Sequence, residues 1–481
     1  MTWWLITIEI IYIILIIFTS YRIIVDTRSS SKTLAYLLAV FFLPVIGMII
    51  YFSVGINYKK RQIYSKKVIS GHILQTIVYK MHERSIESYQ DTKVKELDTR
   101  IPQFLFQSNN NPLTSNNKVE ILRNGEEKFP SVLQAIKDAK HTIHLEYYIM
   151  EDGVLSRQLE DLLIKKTEEG VKVRVIYDDF GSSSIRKTVV QRLRNKGIEI
   201  YPFYKVKLIY LANRMNYRNH RKIAVIDGKI GFTGGINWSD RYSNEHNQEY
   251  YYWRDTHIRL EGPIVASLQA VFLADWNFCV NQNVEIQPEL FSGINEKVGD
   301  KSVQLAADGP DYAMPTILYS LLQAIHSAKE YIYATTPYYI PDESLQNALC
   351  VIAKSGVDVR LLVPYKSDSR FVNAASRSYY KELLNAGVRI YRYKKGFVHA
   401  KTIAIDDQIA IIGTANLDYR SFDLNFEVNT IVYNSETTQE LRQHFEEDLL
   451  DAEELNKEKW MNRNKIRTFF EKIAGLLSPL L

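Results

Sequence analysis

His220-Arg221-Lys222-Ile223-Ala224-Val225-Ile226-Asp227 and His399-Ala400-Lys401-Thr402-Ile403-Ala404-Ile405-Asp406 are two copies of one phrase, His-x-Lys-x4-Asp. Each copy continues alike, into Gly-x-x-Asn at Gly234 to Asn237 and at Gly413 to Asn416. One such match is weak evidence, whereas two with matching tails are strong. The pair predicts one active site assembled from two half-sites, with residue types suited to displacement at a phosphodiester.

Outward from the motifs the flanking sequence repeats as well. Leu133-Gln134-Ala135-Ile136 opens a helical pattern that runs into an apolar strand at Ile143 to Ile149, and Leu322-Gln323-Ala324-Ile325 leads to Ile332 to Tyr339 in the same way. A helix stopping at Gly170 precedes the strand Val171 to Val175; one stopping near Gly356 precedes Val357 to Leu361. Gly197 and Gly387 are the next helix stops, before short strands ending at Ile200 and Ile390. Helices alternate with strands rich in β-branched residues, so each unit is expected to be an α/β domain, a sheet with helices on both faces. Ile223 to Ile226 and Thr402 to Ile405 read as buried strands, which places each His-x-Lys at a strand's start near a sheet edge. The expected arrangement is two duplicated domains, 119–300 and 301–481, related by a pseudo-two-fold. The first carries an insertion, Pro202 to Asn219 with Arg214 and Arg218, read as a surface loop or a lid over a headgroup.

A chain of 481 residues exceeds one core's usual limit, which fits two domains plus extras. With 46% hydrophobic and 24% charged residues it is not extensively disordered. The net charge of +5 suits an anionic lipid surface or substrate and by itself excludes nothing. Cys279 and Cys350 have no C-x-x-C spacing, so neither a disulfide framework nor a zinc site is expected, and a reducing compartment fits.

Trp3 to Ser20 is almost wholly apolar, as is Leu34 to Val54, and each run approaches the length that crosses a hydrocarbon core. No basic segment precedes the first run and no clear small-x-small cleavage site follows it, so it reads as an anchor rather than a cleaved signal peptide. Glu9 is tolerable near a helix end or facing a partner helix, and Pro44 and Gly47 are tolerable within a span. Residues 1–56 are therefore expected to be a two-helix transmembrane hairpin, followed by a juxtamembrane helix and linker at 57–118. Arg22, Arg28 and Lys32 lie between the runs, while Lys59, Lys60, Arg61, Lys66 and Lys67 follow the second. That imbalance favours both ends and the catalytic domains in the cytoplasm, on the inner face of the cell membrane. Near the C-terminus, Glu458 to Leu477 mixes cations with Trp460, Ile466, Phe469, Phe470, Ile473 and Leu476. It reads either as a basic amphipathic helix in a membrane interface or as a helix docked on the second domain.

An enzyme acting on a phosphodiester must neutralise the oxygens, supply a nucleophile and protonate the leaving group. Histidine, with a pKa of about 6.5, attacks when neutral and donates when protonated. His220 and His399 meet both needs, and from the residues alone either can take either role. Lys222 and Lys401 are placed to clamp nonbridging oxygens, and Asn237 and Asn416 to hydrogen-bond the developing charge. A reactive histidine also needs an acceptor on its other nitrogen; Asp255 and Glu427, downstream of the two motifs, are the candidates, with an ordinary structural carboxylate as the alternative for each. No carboxylate or His/Cys cluster accompanies them, so no metal and no cofactor is expected. No basic stripe with interleaved aromatics runs along the chain, which disfavours nucleic acid as a partner.

These motifs resemble the signature of the phospholipase D superfamily, and the chain is similar more narrowly to bacterial cardiolipin synthases. The resemblance rests on Asn219-His220-Arg221-Lys222, Thr233-Gly234-Gly235-Ile236-Asn237, Trp253-Arg254-Asp255-Thr256-His257, Thr336-Pro337-Tyr338-Tyr339, Val398-His399-Ala400-Lys401 and Asn416-Leu417-Asp418-Tyr419-Arg420-Ser421. It extends to Leu43-Pro44-Val45-Ile46-Gly47 in the anchor and to the last five residues. It implies two phospholipase-D-like domains and a metal-independent transphosphatidylation, in which two phosphatidylglycerol molecules give cardiolipin and glycerol through a phosphohistidine. It further implies His220 as nucleophile and His399 as general acid. Asp227 and Asp406, counted with the catalytic motif, would hold the fold rather than touch substrate. Gly235 stands where a serine is common, and Thr414 supplies the hydroxyl in the second copy. A membrane-bound hydrolase releasing phosphatidic acid from the same site is the competing activity.

Overall fold

The computed structural model describes residues 3–27, 30–52, 100–109, 111–204, 217–246, 251–280, 287–310 and 312–477. Most of the expected insertion before His220 and most of the expected linker after the anchor lie outside the described residues.

The strands of the first half are β1 (Thr114–Arg123), β2 (Thr142–Tyr147), β3 (Lys172–Asp178), β4 (Glu199–Phe203), β5 (Arg218–Asn219), β6 (Lys222–Ile226), β7 (Ile230–Gly234), β8 (Tyr252–Arg254) and β9 (Thr256–Glu261). Those of the second are β10 (Lys301–Asp308), β11 (Tyr331–Thr335), β12 (Tyr339–Ile340), β13 (Asp358–Pro364), β14 (Arg389–Tyr393), β15 (Gly396–Val398), β16 (Thr402–Ile405), β17 (Ile409–Gly413), β18 (Leu417–Asp418), β19 (Asn425–Tyr433) and β20 (Ala452–Glu454). One mixed sheet runs through the molecule in the order β20-β14-β13-β11-β16-β17-β19-β10-β1-β9-β7-β6-β2-β3-β4. Its middle is the antiparallel β1–β10 pair. Outward in either direction, three antiparallel strands lead through the motif strand, β6 or β16, to a parallel trio, β2-β3-β4 or β11-β13-β14.

Local sequence explains these elements. β6 and β16 are short runs of apolar and β-branched residues buried along their whole length, as strands covered on both faces must be. The helices Val154–Glu168 and Glu343–Lys354 stop where Gly170 and Gly356 take φ of +91° and +102°, a region that side chains disfavour. Helix Ile264–Val280 is largely apolar, and its first thirteen residues are nearly all buried. Phe272 and Trp276 there join Val303 and Leu305 of β10 and Phe426 of β19 in one core shared by both halves. The C-terminal helix Lys465–Leu477 docks on the second half: Glu471 is buried among Arg377, Arg463 and Arg467, while Ile466, Phe469, Phe470 and Leu476 face outward.

At the N-terminus, Trp3–Asp26 is one 24-residue helix, long and apolar enough to cross a membrane. The second apolar run departs from the expectation of one span. It forms helix Ser30–Phe42 and then helix Pro44–Ile50, broken at Leu43, where φ is −134° and ψ 65°. Proline has no N–H to continue the ladder, and it disfavours helical geometry in the residue before it.

Asp227 and Asp406 do structural work. Each takes a positive φ, 52° and 51°, in the turn after its motif strand. The Asp227 carboxylate accepts the successive N–H groups of Lys140, His141 and Thr142 at 2.7–2.8 Å. Asp406 accepts those of Lys329, Glu330 and Tyr331 at 2.6–2.9 Å. Each aspartate thus fixes the entry to the neighbouring strand, β2 or β11. Replacing Asp227 with alanine orphans three donors and is expected to cost about 1–3 kcal/mol. A lower melting temperature with activity intact below it is the expected result; lost activity at an unchanged melting temperature would put the carboxylate in the chemistry instead.

Candidate active site

Each motif histidine sits just before its strand and is stitched to the opposite half. β5 pairs in parallel with the start of β19, and the His220 N–H donates to the Phe426 carbonyl at 2.9 Å. β15 pairs in parallel with β8, and the His399 N–H donates to the Arg254 carbonyl at 2.7 Å.

The side chains repeat this exchange. His220 Nδ1 lies 2.9 and 3.0 Å from the two oxygens of Glu427, a residue of the second half. His399 Nδ1 lies 2.8 Å from Oδ2 of Asp255, a residue of the first. A carboxylate only accepts here, so each Nδ1 carries the hydrogen and each Nε2 is left with its lone pair. Both expected carboxylates are therefore present, and each serves the histidine of the other half.

The carboxylates are held in turn. Thr414 donates to Glu427 at 2.5 Å and Asn425 donates to it at 3.1 Å, while Asp255 accepts its neighbour's N–H from Thr256 at 2.8 Å. Gly235 stands where Thr414 stands in the second half. A Cβ there would fall 2.0 Å from Oδ1 of Asp255, so only glycine leaves that carboxylate its place.

Lys222 Nζ donates to the His220 carbonyl at 2.5 Å, and Lys401 Nζ donates to the His399 carbonyl and lies 3.0 Å from His399 Nδ1. Both lysines and both carboxylates are buried, and the two histidines nearly so. Burial, with the neighbouring lysines, pulls both imidazoles down to about 4, against the opposing pull of Glu427 and Asp255. Burial likewise lowers Lys222 to about 7 and Lys401 to about 8, with the same two carboxylates opposing. For Glu427 and Asp255 burial works upward, but the paired histidine and nearby lysine outweigh it and keep both below the ordinary carboxylate value. The charges act across the halves: Lys401 is felt by His220, and Lys222 by His399. The site thus holds two neutral imidazoles between two lysines and two ionised carboxylates whose charges offset one another, and the ammonium groups are what it offers an anion. A bound phosphodiester would offset the lysine charge and let one imidazole take up a proton.

The asparagines also make contacts within their own halves. Asn237 accepts the Ile149 N–H at 3.1 Å and donates to the Tyr242 hydroxyl at 2.6 Å. Asn416 donates to Asp418 at 3.0 Å, and its buried Oδ1 has no partner. Both brace the loops after their strands. Asp227 and Asp406 stand roughly 20 Å of extended chain beyond the histidines.

Several contributors were given no role from the sequence. Tyr148 meets the His220 ring edge-on at 4.9 Å, while Trp253, Phe397 and Tyr242 surround His399 at 5.2–6.1 Å between centroids. Arg221, the middle residue of the first motif, is wholly buried, pairs with Asp275 at 2.5 Å and donates to the carbonyls of Glu427 and Asp308. Lys128 is buried with its ammonium 4.1–4.7 Å from the rings of Trp238, Phe129 and Tyr147, and burial drives its pKa well down.

Gly235→Ala tests the geometry. Pushing Asp255 off His399 by an ångström is expected to lower kcat by about 100-fold with little change in KM. An unchanged kcat would show that the Asp255–His399 contact is dispensable.

The family model described as "Cardiolipin synthase, PLD-like domain" matches residues 132–276 and 321–449, and one described as "Phospholipase_D-nuclease N-terminal" matches 10–55. A cardiolipin synthase of Alkalihalophilus pseudofirmus is 39% identical over 100% of this chain and 95% of its own length. Cardiolipin synthase 2 of Bacillus cereus is 41% identical over 95% of this chain and 88% of its own. Among solved structures, a phosphatidylserine synthase from Haemophilus influenzae Rd KW20 shares the fold, with a TM-score of 0.59 at 14% identity over 79% of this chain and 100% of that one. With one family's model over both motif-bearing halves and relatives near 40% identity along almost the whole sequence, the chain belongs to the cardiolipin synthase family of phospholipase-D-like proteins.

Proposed function

We propose that the chain is a phosphatidyltransferase that joins two phosphatidylglycerol molecules into cardiolipin and releases glycerol. The observation that carries this reading is the pair of buried histidines, each oriented by a carboxylate of the opposite half and each beside its own lysine. Two such groups can act on one phosphorus as nucleophile and acid, and the relatives named above share nearly the whole chain.

In the first step His220 Nε2 attacks phosphorus. The bond from phosphorus to the departing glycerol oxygen breaks, and that oxygen takes a proton from His399, charged once the anionic lipid is bound. In the second step a headgroup hydroxyl of another phosphatidylglycerol gives its proton back to His399 and attacks phosphorus, and the P–N bond breaks. Lys222 and Lys401 offset the charge that builds on the nonbridging oxygens throughout. The charge they provide lets every step proceed without a metal ion or cofactor.

The two halves, 119–300 and 301–481, are read as copies of one unit arranged about a pseudo-two-fold, with the site on the axis. The matching strand order and the exchanged carboxylates support that reading. The catalytic body is placed on the cytoplasmic side of the membrane, supported by the lysines and arginine at 59–67.

Incubating the purified chain with labelled phosphatidylglycerol and a chelator tests the chemistry. Cardiolipin with free glycerol is the expected product, and phosphatidic acid alone would establish a hydrolase. His220→Ala and His399→Ala are each expected to abolish turnover, and full activity in either would break the two-half-site mechanism.

The pKa values set a pH profile. The histidines are depressed, so the attacking imidazole stays neutral and competent until pH falls to about 4. The lysines lose charge as pH rises through about 7 to about 8. Because free His399 is neutral above about 4 and must take up its proton on binding lipid, kcat/KM is expected to peak near the acid limb, to decline as pH rises and to fall more steeply once the lysines discharge. An acid limb centred near the ordinary histidine value would show that the imidazoles are not desolvated.

A further inference from the structure

The second apolar run doubles back on itself. Were residues 36–51 one helix, a rise of 1.5 Å per residue would separate Tyr36 from Tyr51 by about 22 Å. Their ring centroids lie 5.7 Å apart, edge to face. At Gly47 a Cβ would stand 2.4 Å from the backbone of Ala39 and Val40, so the two limbs touch main chain to main chain, an approach that only glycine allows. Tyr36, Val40 and Tyr51 close together on Ile23, near the end of the long helix. The turn itself is bare, with Phe41 75% and Phe42 72% exposed. Two of its backbone donors are paired within the hairpin, Leu43 N–H to the Ala39 carbonyl at 2.9 Å and Gly47 N–H to the Leu43 carbonyl at 2.6 Å. Internal satisfaction of that kind is what lets a chain turn inside hydrocarbon.

We propose that residues 30–52 form a re-entrant hairpin that enters and leaves through one face of the membrane, its apolar turn buried in a single leaflet. Trp3–Asp26 is then the one described helix that crosses, and the catalytic body emerges on the side opposite Trp3. The lengths agree. The crossing helix rises about 36 Å, while limbs of 13 and 7 residues rise about 20 and 10 Å, against a hydrocarbon core of about 30 Å.

The charge pattern points the same way from independent ground. All eight lysines and arginines of residues 1–67 fall in two groups, Arg22, Arg28 and Lys32 before the hairpin and Lys59, Lys60, Arg61, Lys66 and Lys67 after it. Two full spans would set three cations against five across the bilayer, a weak bias. A re-entrant hairpin brings all eight to one face, the pattern that orients a chain most firmly, with that face cytoplasmic. The partner of the exposed surface formed by Phe41, Phe42, Leu43, Val45 and Ile46 is therefore the acyl-chain region of the leaflet next to the catalytic body.

The full chain, carrying one peptide tag before Met1 and another after Leu481, tests this in sealed membrane vesicles. Protease added to right-side-out vesicles is expected to remove the first tag and spare the second, and inverted vesicles are expected to reverse the pattern. Tags that are cut or protected together would establish two full spans and overturn the proposal. A Tyr36→Cys/Tyr51→Cys chain gives a second reading, because a short bis-maleimide joins the two cysteines of a hairpin and cannot join those of a straight helix. Both cysteines labelled but never joined would overturn the fold-back itself. Neither measurement depends on lipid turnover, so failure here is separable from failure of the proposed chemistry.

Discussion

Exchange of carboxylates between the halves is the constraint from which the rest follows. Glu427 reaches back to His220, and Asp255 reaches forward to His399. For both contacts to form at once, each motif strand must begin at the seam, and the parallel pairs β5–β19 and β8–β15 hold it there. The sheet's continuity through β1 and β10 fixes the two halves at one spacing. Helix Ile264–Val280 fills the core beneath them, so the junction is both hydrogen-bonded and packed.

Burial sets the chemistry within that frame. Desolvation alone would strip charge from every group in the site, and it does keep the imidazoles neutral. The carboxylates escape because each is held by a histidine, a lysine and further donors. The outcome is a site whose ammonium and carboxylate charges offset one another while the imidazoles stay neutral. An anionic phosphodiester bound beside them raises the proton affinity of the imidazole that must act as acid. Substrate binding and acid–base readiness are thereby coupled.

The sequence disclosed the parts that repeat. His220, Lys222, His399 and Lys401 stood out because identical spacing twice over is improbable, and Gly170, Gly197, Gly356 and Gly387 marked helix ends because positive φ demands glycine there. Asp255 and Glu427 were legible as candidates, but no local pattern says that a side chain will serve the other half of its own chain. The partners of Asn237, Ile149 and Tyr242, were not legible, because an amide beside a motif looks free until the fold brings them into view. Lys128 and Asp275 sit in ordinary sequence and gain meaning only through burial. The break in the second apolar run was hidden for a different reason. Proline is permitted in spanning helices, and hydropathy does not register a reversal of direction at Leu43.

The short, bulged pairing of β1 with β10 down the middle of the molecule also limits how the site can work. Two lobes joined by β1 and β10, and tied again at His220 and His399 by main-chain bonds, cannot part without breaking those pairs. An opening of the cleft by lobe motion would dismantle the histidine–carboxylate contacts it serves.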